Sequence, residues 1–152
     1  MVAAFGEGYA TPFAELSRLT PTPERIAAAD VDDIGALGIV GARARCIVAL
    51  AGAHVSGELS LEDRVDHKPA DAIARLAELP GIGPWTAHYI AMRALRWPDA
   101  FPKEDIAVRN NLGGVSAKRA EEMSQPWRPW RSYAVLHIWR DSPLKKPGVP
   151  AA

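Results

Sequence analysis

The stretch that decides the fold is LPGIGPWTAHY, residues 79–89. Apolar residues recur at helical spacing both before and after it, while its glycines and prolines interrupt the pattern. A tight turn between two helices needs a residue with positive φ, which glycine adopts without steric cost. We therefore predict a helical hairpin over residues 69–96, with Gly81 and Gly83 supplying the positive φ.

A glycine turn of this kind has two interpretations. It can simply join two helices, which is the more frequent case for a short glycine motif. It can also let the backbone approach a phosphate group, with the N–H groups at the start of the second helix directed at it. The turn alone favours the structural interpretation, so the rest of the chain has to decide between them.

Helical signals recur along the whole chain, as capping residues, early prolines and apolar residues three or four apart. Helices are predicted to begin at or near Thr22, Asp30, Gly41, Pro69, Pro84, Asp105, Ser116 and Pro129. No sustained period-two apolar pattern is present, which indicates an all-α fold. We predict one domain over residues 1–142, with a charged loop at 57–68 and a flexible tail at 143–152.

The composition is that of a globular domain. The 152 residues are 48% hydrophobic and 24% charged, with a formal net charge of zero. Cys46 is the single cysteine, which excludes an intrachain disulfide and a four-cysteine zinc or iron–sulfur site. No basic leader or bilayer-spanning run is visible, so an intracellular protein is expected. Residues 118–152 carry seven basic and three acidic side chains, which is compatible with a local phosphate-binding face.

Three blocks carry a family resemblance. They are LPGIGPWTAHYIAMRAL at 79–95, FPKEDIAVRNNL at 101–112 and WRPWRSYAVLHIWR at 127–140. In order and spacing they resemble the helix-hairpin-helix DNA glycosylases, most closely the bacterial 3-methyladenine DNA glycosylase II type, over about residues 5–142. The resemblance implies an enzyme that flips out and excises alkylated bases.

The resemblance also implies how DNA is held. In that family the hairpin binds a DNA phosphate through backbone amides, often with an alkali cation on the turn carbonyls. The matching amide region comprises Gly81, Ile82, Gly83 and Thr86. The matching carbonyls, for sodium or potassium, belong to Ala77, Leu79 and Gly81. The implied partner is double-stranded DNA with alkylated bases, and no cofactor is required. The resemblance also implies a monomer that is located in the bacterial cytoplasm and associated with the nucleoid.

Asp105 occupies the position of the family's catalytic aspartate. Its residue chemistry alone favours a helix N-cap, and the resemblance implies that it also stabilises positive charge on the sugar. An alkylated purine already carries positive charge and leaves as a neutral base, so the second carboxyl group of ordinary sugar hydrolases can be omitted. The resemblance thus assigns catalysis to a single carboxylate.

Trp85, Tyr89 and Trp139 match family positions that line the base pocket. Aromatic faces grip a flipped base, and electron-rich rings attract a cationic base more than a neutral one. The alternative is core packing, which is the common fate of aromatic residues four apart on one helical face. Relatives that also nick DNA have a lysine where this chain has Trp85, so the implied nucleophile is water.

Other residues are assigned structural roles. Trp97, Trp127 and Trp130 are expected in the core, and Arg128 and Arg131 are expected to be ordinary surface or phosphate-contacting cations.

The resemblance is incomplete at the amino terminus, where relatives carry a mixed α/β domain and a further apolar helix before the matched region. Ile106 also replaces an aromatic residue common beside the catalytic aspartate. We therefore expect an amino-terminally truncated form of the fold. The alternatives to an active enzyme are a non-catalytic helix-hairpin-helix DNA-binding module and a gene fragment that does not fold alone.

Overall fold

The computed structural model describes residues 1–61 and 69–141. These residues form helices and turns, with one isolated bridge between Gly8 and Arg18. The α-helices of this part of the chain are α1 (Val2–Phe5), α2 (Pro23–Ala27), α3 (Val31–Gly35), α4 (Gly41–Val55), α5 (Pro69–Glu78), α6 (Pro84–Arg93), α7 (Ile106–Asn111), α8 (Ala117–Met123) and α9 (Arg131–Asp141). Two short 3-10 helices lie at Ala14–Leu16 and Gln125–Trp127. The all-α prediction is confirmed. Most of the predicted charged loop and all of the predicted tail lie outside the described residues.

The helix starts follow from local capping chemistry. Thr22, Asp30 and Ser116 each accept a hydrogen bond from a first-turn N–H group, at 3.3, 2.8 and 3.2 Å. Such caps satisfy N–H groups that have no partner within the helix. The predicted start of α9 at Pro129 is slightly early, because the helix begins at Arg131.

The chain divides into two compact units. The first comprises Met1–Leu61 and Ala74–Ile82. Within it, α2 and α3 pack on the long helix α4. The buried apolar side chains of this unit belong to Ile26, Ile34, Ala44, Ala53, Leu59, Leu76 and Ile82.

The second unit comprises Glu62–Ile73 and Gly83–Ala152. Its buried core includes Phe101, Val108 and Val135, and α7 contacts both α8 and α9. Trp97 and Trp127 pack against this core, as predicted. The core prediction for Trp130 is wrong, because its side chain is 58% exposed.

Arg131 is buried, which corrects its predicted surface position. The residue is 3% exposed, and its guanidinium donates to the carboxylates of Asp99 and Glu121. A buried guanidinium is tolerated only when its charge is paired and its donors are satisfied. Arg128 is half exposed, as expected, although it also pairs with Asp99 at 2.6 Å.

Over the range predicted to form a helical hairpin, the chain has α5, a turn and α6 in succession. Gly81 has φ +88°, and the turn is closed by the N–H of Ile82, which donates to the carbonyl of Leu79 at 3.1 Å. The prediction of positive φ at Gly83 is wrong, because that residue is the extended N-cap of α6 with φ −84° and ψ 172°. A glycine in a turn after a helix often takes the left-handed conformation, whereas an N-cap takes extended geometry.

Candidate active site

Asp105 lies in the second unit, at the N-cap of α7. It is 8% exposed, and its Oδ1 accepts the N–H of Val108 at 2.8 Å. The capping interpretation is therefore confirmed. A carboxylate offers more acceptor sites than this one bond occupies, so capping leaves room for a second role.

Two indole groups fill further acceptor positions of this carboxylate. Trp85 Nε1 donates to Oδ2 at 2.7 Å, and Trp139 Nε1 donates to Oδ1 at 3.1 Å. The donors come from α6 and α9, while the acceptor begins α7. Three helices of the second unit thus fix the orientation of one carboxylate.

The same indoles belong to an aromatic cluster. Trp85 and Tyr89 stack with centroids 5.3 Å apart and planes 7° from parallel, and the ring of Trp139 lies 6.0 Å from that of Tyr89. Trp85 is 38% exposed and Tyr89 is 37% exposed, so both present apolar surface to solvent. The structure therefore brings together all four residues that the sequence predicts for the catalytic and base-binding roles.

Two neighbours in sequence of the site residues, His88 and Glu104, each have a buried polar side-chain atom. His88 lies on α6 between Trp85 and Tyr89, and burial lowers its pKa from 6.5 although Glu104 and Glu121 oppose the shift. Among the described residues, neither His88 Nδ1 nor Glu104 Oε2 has a hydrogen-bond partner. The sequence does not single out His88, whose position within an apolar helical pattern is typical of a structural histidine.

The start of α6 carries no side-chain cap. Gly83 precedes Pro84, and the N–H groups of Trp85 and Thr86 fall in the first turn, where a helix offers no acceptor. A Cβ at Gly83 would meet no other atom of the described chain within 4 Å. Neither its backbone geometry nor its packing requires glycine, and this helix end is left sterically open.

Gly81 differs from Gly83 in both respects. Besides its positive φ, a Cβ there would lie 3.2 Å from Cys46 Cβ. The turn at Gly81 and helix α4 therefore lie close to each other within the first unit. Ile82 is 5% exposed and its amide is engaged in the turn, so this residue contributes packing and turn closure.

The part of the chain that the structure describes holds no group of three or more His, Cys, Asp or Glu side chains placed for a metal ion. Within those residues no helix is long and apolar enough to cross a membrane.

No family model matches the chain. Individual relatives do match. Over 119 residues the chain is 39% identical to DNA-3-methyladenine glycosylase 2 of Escherichia coli (strain K12), covering 78% of this chain and 42% of that protein. It is 35% identical over 136 residues to DNA-3-methyladenine glycosylase of Bacillus subtilis (strain 168), covering 85% of this chain and 42% of that protein. The chain is similar to the helix-hairpin-helix DNA glycosylases over most of its own length. It spans less than half the length of these two relatives.

Solved structures share the fold. The 3-methyladenine DNA glycosylase Mag1 of Schizosaccharomyces pombe, solved with abasic DNA, is 25% identical with a TM-score of 0.70, covering 79% of this chain and 62% of that one. An 8-oxoguanine glycosylase/lyase of Clostridium acetobutylicum, solved with double-stranded DNA, has a TM-score of 0.73 at 18% identity, covering 91% of this chain and 49% of that one. At that identity the second likeness shows the fold alone.

Proposed function

We propose that this chain binds duplex DNA and excises alkylated bases by hydrolysing the N-glycosidic bond. The observation that carries the proposal is the buried carboxylate of Asp105, bonded to the indoles of Trp85 and Trp139. The similarity of the chain to bacterial DNA-3-methyladenine glycosylases suggests the substrate class. The partial coverage of those proteins makes their activity an inference for this chain.

In this mechanism Asp105 acts electrostatically. Breaking the N-glycosidic bond moves its electron pair onto the base and builds positive charge on the sugar, which a fixed carboxylate stabilises. An alkylated purine is neutralised by that electron pair and needs no protonating acid. Water then adds to the sugar carbon and releases a proton. Three N–H donors preorganise the Asp105 carboxylate for this role.

Base recognition would fall to the aromatic cluster. The rings of Trp85 and Tyr89 are partly exposed and stacked, so a flipped base can extend the stack. Electron-rich ring faces attract cations by up to about 2 kcal/mol when water is excluded. An alkylated, positively charged base gains this attraction, whereas an undamaged neutral base does not.

DNA would be held at the start of α6. An uncapped helix N-terminus presents N–H groups and a partial positive charge to an anion such as a phosphate. The absence of a side chain at Gly83 lets a phosphate approach the amides of Trp85 and Thr86. At the end of α5 and in the turn, the carbonyls of Ala77, Leu79 and Gly81 would hold sodium or potassium, because carbonyl oxygens suit such cations and each has two lone pairs. The Ile82 amide uses only one lone pair of Leu79.

The competing proposal is a DNA-binding module without turnover. The observation behind it is that the chain spans 42% of each of the two bacterial relatives. A monomeric state and an association with the bacterial nucleoid are also still predictions.

Excision of base from defined DNA tests the proposal. The chain should release free base from duplex DNA carrying 3-methyladenine or 7-methylguanine and leave the strand intact until alkali is added. Because Trp85 stands in the lyase-lysine position, borohydride should trap no covalent adduct with the protein. A trapped adduct would show that an amine is the nucleophile. DNA binding without base release would favour the module.

A further inference from the structure

The segment that joins α6 to α7, residues 94–105, carries Asp105 at its end. It has no regular secondary structure, yet it is buried at Asp99, Ala100, Phe101 and Pro102. Buried backbone groups outside helices must find partners elsewhere in the protein. The partners of this segment therefore determine where Asp105 is placed.

Besides hydrogen bonds within the segment and to α6, the carbonyls of residues 97–100 have partners in the first two residues of α9. The carbonyl of Pro98 accepts the N–H of Ser132 at 2.8 Å, and that of Asp99 accepts Arg131 Nη2 at 2.9 Å. The Ser132 hydroxyl lies within hydrogen-bond distance of the two flanking carbonyls, to one of which it donates its proton. These are the carbonyls of Trp97, at 2.7 Å, and Ala100, at 3.0 Å. Arg131, Ser132 and the four carbonyls of residues 97–100 form what we call the loop clamp.

The side chain of Asp99 completes the clamp. Arg131 binds its carboxylate through Nε to Oδ1 at 2.7 Å and Nη2 to Oδ2 at 2.9 Å. Both residues are at least nine-tenths buried. The Arg131 guanidinium also lies 5.6 Å from the ring centroid of Phe101, within cation–π range. Such a bidentate ion pair fixes the relative orientation of the two side chains as well as their distance.

A buried ion pair is not the most stable filling for such a position. Apolar residues of similar volume often stabilise a fold equally well or better, because they avoid the desolvation of two charges. A pair in this position is better suited to fixing one geometry of the segment. That geometry includes the site, because α9 also carries Trp139, whose indole donates to Asp105.

We propose that Arg131 is a positioning residue for the glycosylase reaction: through the loop clamp it sets the carboxylate of Asp105 against the indole of Trp139. The inference rests on the proposed function for its effect on rate. The first residues of α9 hold the segment, and Trp139, two turns later on the same helix, donates to the carboxylate of Asp105. The distance from Arg131 to the segment and the distance from Trp139 to Asp105 are therefore fixed together.

The test replaces the ion pair without leaving a buried charge. In Asp99→Leu/Arg131→Met, Arg128 and Glu121 lose a partner but are exposed enough to be solvated. We expect a folded protein with unchanged DNA affinity and a single-turnover excision rate lower by about tenfold to a hundredfold, the loss typical of a misplaced reacting group. The indole ¹⁵N–¹H resonances of Trp85 and Trp139 should shift as their bonds to Asp105 change. Arg131→Lys keeps the charge but cannot form the bidentate pair. It should shift the same resonances, and it should slow excision less than the double variant does.

The matched control is Arg119→Met, which removes an arginine from an exposed ion pair with Glu122. It should alter neither the indole resonances nor the rate. The proposal is overturned if the double variant folds with wild-type indole resonances or excises at the wild-type rate. If the double variant does not fold, wild-type resonances in Arg131→Lys overturn it instead. If the wild type releases no base, the proposed function fails, while the indole resonances still decide whether Arg131 positions Asp105.

Discussion

At the scale of single residues, the geometry separates two roles that an indole can play. The ring of Trp85 or Trp139 can stack on a base, and its N–H orients Asp105. Phenylalanine keeps an aromatic ring and removes the N–H donor. The substitution therefore isolates the hydrogen bond from most of the stacking.

We expect Trp85→Phe and Trp139→Phe each to lower the single-turnover excision rate by about tenfold or more, since a loosened reacting group is slow to reach productive geometry. DNA affinity should change little. The control is Trp130→Phe, on an exposed ring outside the cluster. A rate unchanged in both site variants would show that the indole donors are dispensable.

We expect His88 to make the free energy of unfolding depend on pH. Burial lowers its pKa below 6.5, and the opposing effects of Glu104 and Glu121 are smaller. The unfolded chain therefore binds a proton more readily than the folded one at this position. Its stabilising contribution is complete above about pH 6.5 and declines as the pH falls through the lower pKa of the folded state.

Urea unfolding at pH 8 and pH 5 measures this effect. The wild type should lose more stability between the two pH values than His88→Gln, which does not titrate. His137→Gln removes an exposed histidine and should follow the wild type. An identical pH dependence in wild type and His88→Gln would contradict the assignment to His88.

At the scale of elements, the hairpin turn distinguishes its two glycines. Gly81→Ala should destabilise the fold by about 1–2 kcal/mol from left-handed strain, and more from the 3.2 Å approach to Cys46. Gly83→Ala meets neither penalty, because its backbone is extended and its surroundings are open. If a phosphate binds there, Gly83→Ala should instead weaken DNA binding for every sequence alike.

Chemical denaturation and DNA titration of the two variants give a direct comparison. Equal destabilisation by both would show that the turn needs two special backbone positions. Unchanged DNA affinity in Gly83→Ala would indicate that the turn is structural only.

Elements were predictable from sequence where the determining chemistry is local. Thr22, Asp30 and Ser116 act within their own first turns, so their capping roles can be recognised from neighbouring residues alone. The glycines and prolines that separate α5 from α6 are a local signal of the same kind. The prediction for Gly83 is wrong because glycine identity does not reveal which residue of a turn takes the positive φ.

At the scale of the whole molecule, the resemblance predicts four residues that the structure places together, but not how they interact. The two indole–carboxylate bonds join residues 20 and 34 positions apart, and no local pattern reports them. Arg131 was placed on the surface for a related reason, since its partner Asp99 lies 32 positions away. The family resemblance predicts that Trp85, Asp105 and Trp139 lie together, and the structure shows the hydrogen bonds between them.

Turnover by this chain is tested most directly by Asp105→Asn. Asparagine keeps the shape and the capping oxygen but removes the negative charge, so folding and DNA affinity should be retained. Excision of 3-methyladenine from duplex DNA should fall by about a hundredfold to a thousandfold, the usual effect of losing one preorganised electrostatic group. If wild type and variant release base equally fast, Asp105 is only a helix cap and the mechanism is wrong. If both bind DNA and neither releases base, the chain is a binding module.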